Sequence, residues 1–276
     1  MSDVLFDLRP DGVALITFNR PESMNAMGGE LMPLLARHLA ECENDRAVRC
    51  VALTGNGRAF CAGGDVKNMQ RRNDRAGSSE PGTPDNPVSQ LDRAVEGLRA
   101  SHHSTSLRLH TMGKPTVALV NGFAVGAGLS LALSCDIRIA SEQARFGTAF
   151  RNVGLSGDYG GSYFLQRLVG NGRARELYFS AEMVDATRAL EMGMVNKVVP
   201  HDRLLEDGLA FCAKLAAGPT AVYARMKSNL NLGETGSLEA VLDQEALLMR
   251  ISGMGLDSRE AVRAFVEKRE PNFVGE

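Results

Sequence analysis

Tryptophan is absent from this 276-residue chain, and aromatic residues make up only 5% of it. That scarcity argues against the aromatic platforms on which single-stranded nucleic acids stack. An excess of either charge is missing too. The 31 Lys and Arg nearly balance 33 Asp and Glu, for a net charge of -2, so no basic field invites nucleic acid or an anionic membrane. The longest apolar stretch, residues 116–132, is broken by Asn121 and by Gly122, Gly126 and Gly128. It is too short and too glycine-rich for a membrane span. The start, "MSDVLFDLRP", has neither the basic nor the apolar region of a signal peptide. The five cysteines (Cys42, Cys50, Cys61, Cys135, Cys212) form no CxxC pair and lie in apolar contexts, which points to reduced thiols in a cytosolic protein. The five histidines form no HxxxH pair, so no metal site is expected. His102-His103 reads as a solvated helix face.

What is present is an alternation of strand and helix signals. "GVALITFNRP" alternates as a strand, "ELMPLLARHLAECEND" has helical spacing, and "VRCVALTGNG" is a β-branched strand closing on a glycine turn. "FCAGGDVKNMQRR" reads as a tight turn entering a helix. A long helical stretch covers residues 88–112. After it come a strand ("KPTVALVNG"), a helix ("AVGAGLSLALSC") and another strand ("DIRIASE"). The repeated order predicts an α/β chain of stacked β/α turns. Residues 1–200 form its core, and residues 201–276 read as helices throughout. Between the halves of the core, residues 73–87 are polar and rich in Gly, Pro and Ser. That loop is too long for an idle connection.

Two glycine turns, "RAFCAGGDVKNM" and "VNGFAVGAGLSLAL", each follow a strand and open a helix. Helix N-termini carry unpaired N–H groups, so such places hold anions or developing oxyanions. Neither is a phosphate loop, since Lys67 comes too late and no GK[ST] occurs. Neither is a dinucleotide fingerprint, since the spacing fails. The plain reading of either turn alone is tight packing. As a pair they can aim two N–H groups at one carbonyl oxygen, an oxyanion hole whose donors are each worth roughly 3–4 kcal/mol.

Four segments in order, "NRPESMNAM", "GRAFCAGGDVKNM", "VNGFAVGAGLSLALSCDIRIAS" and "FGTAFRNVGLSGDYGGSYFLQRLVG", resemble the crotonase family of enoyl-CoA hydratases and isomerases. The resemblance covers about residues 4–200. It implies a superhelix of stacked ββα turns, followed by C-terminal helices that build a homotrimer or a hexamer of two trimers and help cover coenzyme A. It implies an acyl-CoA thioester as substrate, with the coenzyme arriving as part of the substrate and no separate cofactor or metal. The N–H groups of Gly64 and Ala127 would hold the thioester oxygen. Backbone around Met24, Ala26 and Ala62 would line the pantetheine and adenine path. Lys227 would reach the coenzyme's phosphates, unless it is simply an exposed helix lysine. Asp65 falls where the family acid is structural, at the start of a helix.

The chain departs from the family's hydratases at the two positions where those carry glutamates, which are Ser130 and Phe150 here. Asp158 falls instead where the family's dienoyl-CoA isomerases, ring isomerases and dehalogenases carry an aspartate. It stands between Gly157 and Tyr159 with no other acid within ten residues on either side. It either caps the following helix or acts alone as acid/base in a proton shuttle. Dehalogenation would need a tryptophan pocket, which the chain lacks. The leading expectation is double-bond isomerisation with Asp158 as acid/base. The alternatives are a hydratase with an atypical water site and a non-catalytic acyl-CoA binding protein. Asp74, Glu80 and Asp85 are further acids that could reach the site, whereas Asp136 and Glu142 read as surface acids at strand ends.

Overall fold

The computed structural model describes residues 2–66, 70 and 87–276. Its frame is a six-stranded sheet of β1 (Val4–Leu8), β2 (Val13–Phe18), β3 (Cys50–Gly55), β5 (Thr116–Val120), β7 (Ile137–Ser141) and β10 (Lys197–Val199), in that spatial order. β1 and β2 are antiparallel, and every later pairing is parallel. Parallel strands buried on both faces are apolar almost throughout, and β3 shows how. Val51 and Leu53 face the main core, with Phe18, Phe60 and Leu131. Cys50 and Ala52 face the other way, onto Leu204, Cys212 and Ala216 of helix α8 (Leu204–Ala216).

A second sheet of very short strands runs β4 (Ala59–Cys61), β6 (Phe123–Val125), β8 (Arg145–Gly147) and β9 (Val184–Asp185). The chain therefore visits the large sheet, then the small one, then a helix, and repeats: β5 and β6 lead to α4 (Ala127–Ser134), and β7 and β8 lead to α5 (Gly161–Val169). This is the stacked ββα order expected from the sequence, but the small sheet was invisible there. Strands of two or three residues show no alternation to read, and "FCAGG", read as a turn, hides β4.

The remaining helices are α1 (Leu31–Asn44), α2 (Pro87–His102), α3 (Arg108–Thr111), α6 (Asn171–Ser180), α7 (Ala186–Glu191), α9 (Thr220–Gly233), α10 (Leu238–Met254) and α11 (Leu256–Glu267). The single long helix expected over 88–112 is two helices joined by a π-helical turn, His103–Leu107, whose Thr105 and Ser106 are buried. All five cysteines are free and buried. Burial pushes the thiols of Cys42, Cys61 and Cys135 up to about 12. No described helix is long and apolar enough to cross a membrane.

Candidate active site

β4 and β6 lie side by side and parallel, so the glycine turns that follow them meet. A Cβ on Gly63 (φ +84°) would stand 2.6 Å from Val125 O and 3.3 Å from Ala127 N, and one on Gly128 would overlap Cys61 O. Both positions are glycine because the turns touch backbone to backbone. In α4 the first intrahelical bond is donated by Ser130 N to Gly126 O, at 3.1 Å. The N–H of Ala127 comes before it and has no carbonyl of its own helix to meet. Gly64 bridges Met27 in parallel, which fixes its peptide beside residues 24–27, directly after the glycine that touches the start of α4.

The wall next to these turns is residues 24–27. Ala62 N donates to Met24 O at 3.0 Å, and Met27 N donates to Gly63 O at 2.7 Å. Buried Asn25 organises this wall. Its Nδ2 donates to Asn56 O (3.0 Å) and Ala59 O (2.7 Å), while its Oδ1 accepts from Arg20 N (2.8 Å). Arg20 Nη1 donates to Ala26 O at 2.7 Å, and its Nη2 stands 3.9 Å from Asp65 Oδ2. Asp65 thus pairs with the arginine that holds the wall, a structural role as the sequence suggested.

The acid lies across Phe150 from the glycine turns. A Cβ on Gly126 would stand 3.7 Å from the Phe150 ring, and one on Gly157 3.6 Å from the same ring. Phe150 is stacked on Tyr178, with centroids 6.1 Å apart and planes 11° apart. α4 and α5 also pack closely at this point: a Cβ on Gly161 would overlap Ser130 Oγ and stand 2.7 Å from the Tyr178 hydroxyl. Asp158 therefore sits in a pocket of aromatic rings and backbone. Its Oδ1 is buried with no hydrogen-bond partner among the described residues. Burial alone pushes its carboxyl from an ordinary 3.8 up to about 6, since the charged form loses water and gains no cation. The cap reading fails on this geometry. Gly161 N donates to the carbonyl of Asp158, at 3.2 Å, while no side chain caps this helix and the Asp158 Oδ1 has no partner among the described residues.

A family model described as enoyl-CoA hydratase/isomerase matches residues 9–276. The chain belongs to the enoyl-CoA hydratase/isomerase family. It is an enzyme of the crotonase type with the crotonase fold. It is 38% identical over 264 residues to the 1,2-epoxyphenylacetyl-CoA isomerase of Escherichia coli, covering 96% of this chain and 95% of that one. It is 34% identical over 261 residues to the short-chain-enoyl-CoA hydratase of Clostridium acetobutylicum, covering 94% and 92%. Among solved structures, an enoyl-CoA hydratase from Bacillus anthracis superposes with a TM-score of 0.87 at 31% identity, covering all of both chains.

Within this crotonase framework the structure brings together Met24, Ala26, Ala62, Gly64, Ala127 and Asp158, all singled out in the sequence. Lys227 stands apart from them. It is buried, and its Nζ donates to Leu109 O (2.8 Å), Lys114 O (3.4 Å) and Asp136 Oδ2 (2.9 Å). Three donors meet three acceptors of the same chain, so Lys227 is a structural lysine rather than an open phosphate ligand. Asp136 is corrected with it. Read as a surface acid, it also accepts from Thr116 N at 2.8 Å and Thr116 Oγ1 at 3.0 Å. His102 is not a solvated residue either: its Nε2 accepts from Tyr159 N at 3.3 Å. Asp74, Glu80 and Asp85 lie outside the described residues. Tyr178, Asn25 and His102 were missed because nothing in their spacing, up to 133 residues from Asp158 in the case of Asn25, marks them as neighbours of the site.

Proposed function

We infer that the protein binds an unsaturated acyl-CoA and moves its double bond through an enolate. The N–H groups of Gly64 and Ala127 hold the thioester oxygen as negative charge develops on it. The Asp158 carboxylate takes a proton from one carbon and, as the acid, returns it to the carbon two bonds away. Backbone at Met24, Ala26 and Ala62 lines the coenzyme's path. The observation that carries this reading is the unpartnered, buried Oδ1 of Asp158. A carboxyl raised to about 6 by burial accepts and donates protons near neutral pH. Hydration would require a second group to hold water, and the aromatic ring of Phe150 occupies the place where the family's hydratases carry one.

The test is mass spectrometry of a 3-enoyl-CoA incubated in heavy water with the wild type and with Asp158→Asn. A conjugated product that gains deuterium with the wild type and is lost in the variant supports the shuttle. A product heavier by one water would establish hydration instead. Binding of acyl-CoA with turnover by neither protein would favour a non-catalytic carrier.

The helices beyond residue 201 support self-association. Leu238, Leu242, Met249, Phe265 and Val266 on α10 and α11 are all exposed, and exposed apolar side chains grouped on the same two helices mark a surface that a partner copy can cover. A homotrimer, alone or paired into a hexamer, covers them. Light scattering at micromolar concentration checks this, and a monomer there would refute it.

A further inference from the structure

Asp158 is followed by a residue in a conformation that its type disfavours. Tyr159 is buried, and its φ is +51°, the left-handed region where a bulky residue is strained by about 1–2 kcal/mol. Such strain persists only where the surroundings over-determine it. Both ends of Tyr159 are held by two consecutive residues in the last turn of α2. Its N–H donates to His102 Nε2 at 3.3 Å. Its hydroxyl lies 2.9 Å from Ser101 Oγ. Its ring meets the His102 ring edge-on, with centroids 4.5 Å apart.

The clamp is itself anchored. Immediately after it the helix widens into the π-helical turn, whose buried Thr105 Oγ1 donates to Ser101 O at 2.6 Å and Ser106 Oγ to His102 O at 3.2 Å. Two buried hydroxyls thus tie down the carbonyls of the two residues that grip Tyr159. A π turn holds one residue more than an α turn, which rotates the side chains before it relative to those after it. Burial lowers the His102 pKa, and accepting a hydrogen bond from a backbone N–H requires Nε2 to be unprotonated.

We propose that His102 and Ser101 are positioning residues, which hold Tyr159 in its left-handed conformation and thereby aim the Asp158 carboxyl into the site. Neither touches the reacting atoms. The proposal rests on Asp158 being the acid, as inferred above, and its test is chosen so that the two can fail separately.

The test compares His102→Phe, which keeps a ring edge but no acceptor, with His102→Gln, whose amide oxygen falls near the place of Nε2. Two readouts are taken: kcat and KM for the 3-enoyl-CoA, and the titration of the Asp158 carboxyl by carbon-13 NMR, assigned with Asp158→Asn. The expected result for His102→Phe is a kcat about 30-fold lower with KM within about threefold, as for a misaimed catalytic group. The Asp158 titration should move back toward the ordinary carboxylate range, and His102→Gln should restore both readouts. If His102→Phe does not fold, Ser101→Ala releases one end of Tyr159 and should shift both readouts in the same direction, with a kcat about threefold lower. A wild-type kcat in His102→Phe, equal losses in the Phe and Gln variants, or a lowered kcat with the Asp158 titration unmoved would each overturn the clamp. If Asp158→Asn turns over normally, the acid assignment falls, and the NMR titration still decides whether the clamp holds.

Discussion

The glycine turns and the acid turn sit on either side of Phe150 and are built on opposite plans. The turns at Gly63–Gly64 and Gly126–Ala127 use backbone alone. Their geometry is set by parallel strand pairing, by main-chain bonds to Met24 and Met27, and by an approach so close that no side chain fits. The turn at Gly157–Gly160 depends on side chains: a strained tyrosine, a histidine, two aromatic rings and a carboxyl whose buried Oδ1 has no partner among the described residues. A backbone device tolerates changes of residue type so long as the path of the chain is kept, which is why Ala serves at 127. A side-chain device is sensitive to every neighbour. On the function proposed above, the first plan would suit the holding of a thioester oxygen and the second the choice of reaction.

Substitutions that separate the two plans should differ in kind as well as size. Asp158→Asn should leave the fold intact and lower kcat by about 10³-fold, as loss of a general acid/base does. Steady-state kinetics with circular dichroism checks both halves of that statement. Gly128→Ala should do the reverse, because its methyl would overlap Cys61 O. Denaturant unfolding should show a loss of about 3 kcal/mol, with acyl-CoA binding falling alongside stability. Lys227→Met, remote from both turns, should destabilise by about 2 kcal/mol through the unpaired Asp136 carboxylate. Calorimetric affinity for coenzyme A should stay unchanged.

Acid–base behaviour sharpens the contrast further. For the wild type, kcat/KM should rise with pH and level off above about 6, where the free carboxylate forms. The same group weakens the fold as it ionises. Its folded pKa lies above the unfolded value, so the folded chain holds more protons between roughly pH 4 and 6 and loses stability as pH rises through that window. Asp158→Asn should therefore have a higher denaturant midpoint than the wild type at pH 7.5, and the difference should vanish below pH 4. The smallest effect belongs to Ser130→Ala. Among the described residues its hydroxyl bonds only to Gly126 O, at 3.3 Å, so turnover should change by less than about threefold.

The glycine turns, Asp158 and the long strands were legible in the sequence because each is local. Glycine spacing, β-branched runs and a lone acid between glycines are signals carried within a dozen residues. The environment of Asp158 was not legible. Tyr178 arrives from α6, the second helix after it, and the Tyr159 clamp comes from 57 residues upstream, at the end of a helix whose π-helical turn no periodicity marks. Lys227 shows the complementary error. A lysine on a C-terminal helix reads as a phosphate ligand or an exposed side chain, and only the packing of α9 against α3 and the residues just before β5 and β7 shows its three acceptors.

Cys61 closes the strand that opens the first glycine turn, and its thiol titrates near 12. The conjugated enoyl thioester that this enzyme would release is an electrophile that thiolates attack. Burial of Cys61 disfavours the thiolate, the form in which a cysteine attacks an electrophile, so the cysteine beside the first glycine turn is held as the unreactive thiol. On the function proposed above, the same burial that tightens the core would also protect the catalyst from alkylation by its own product.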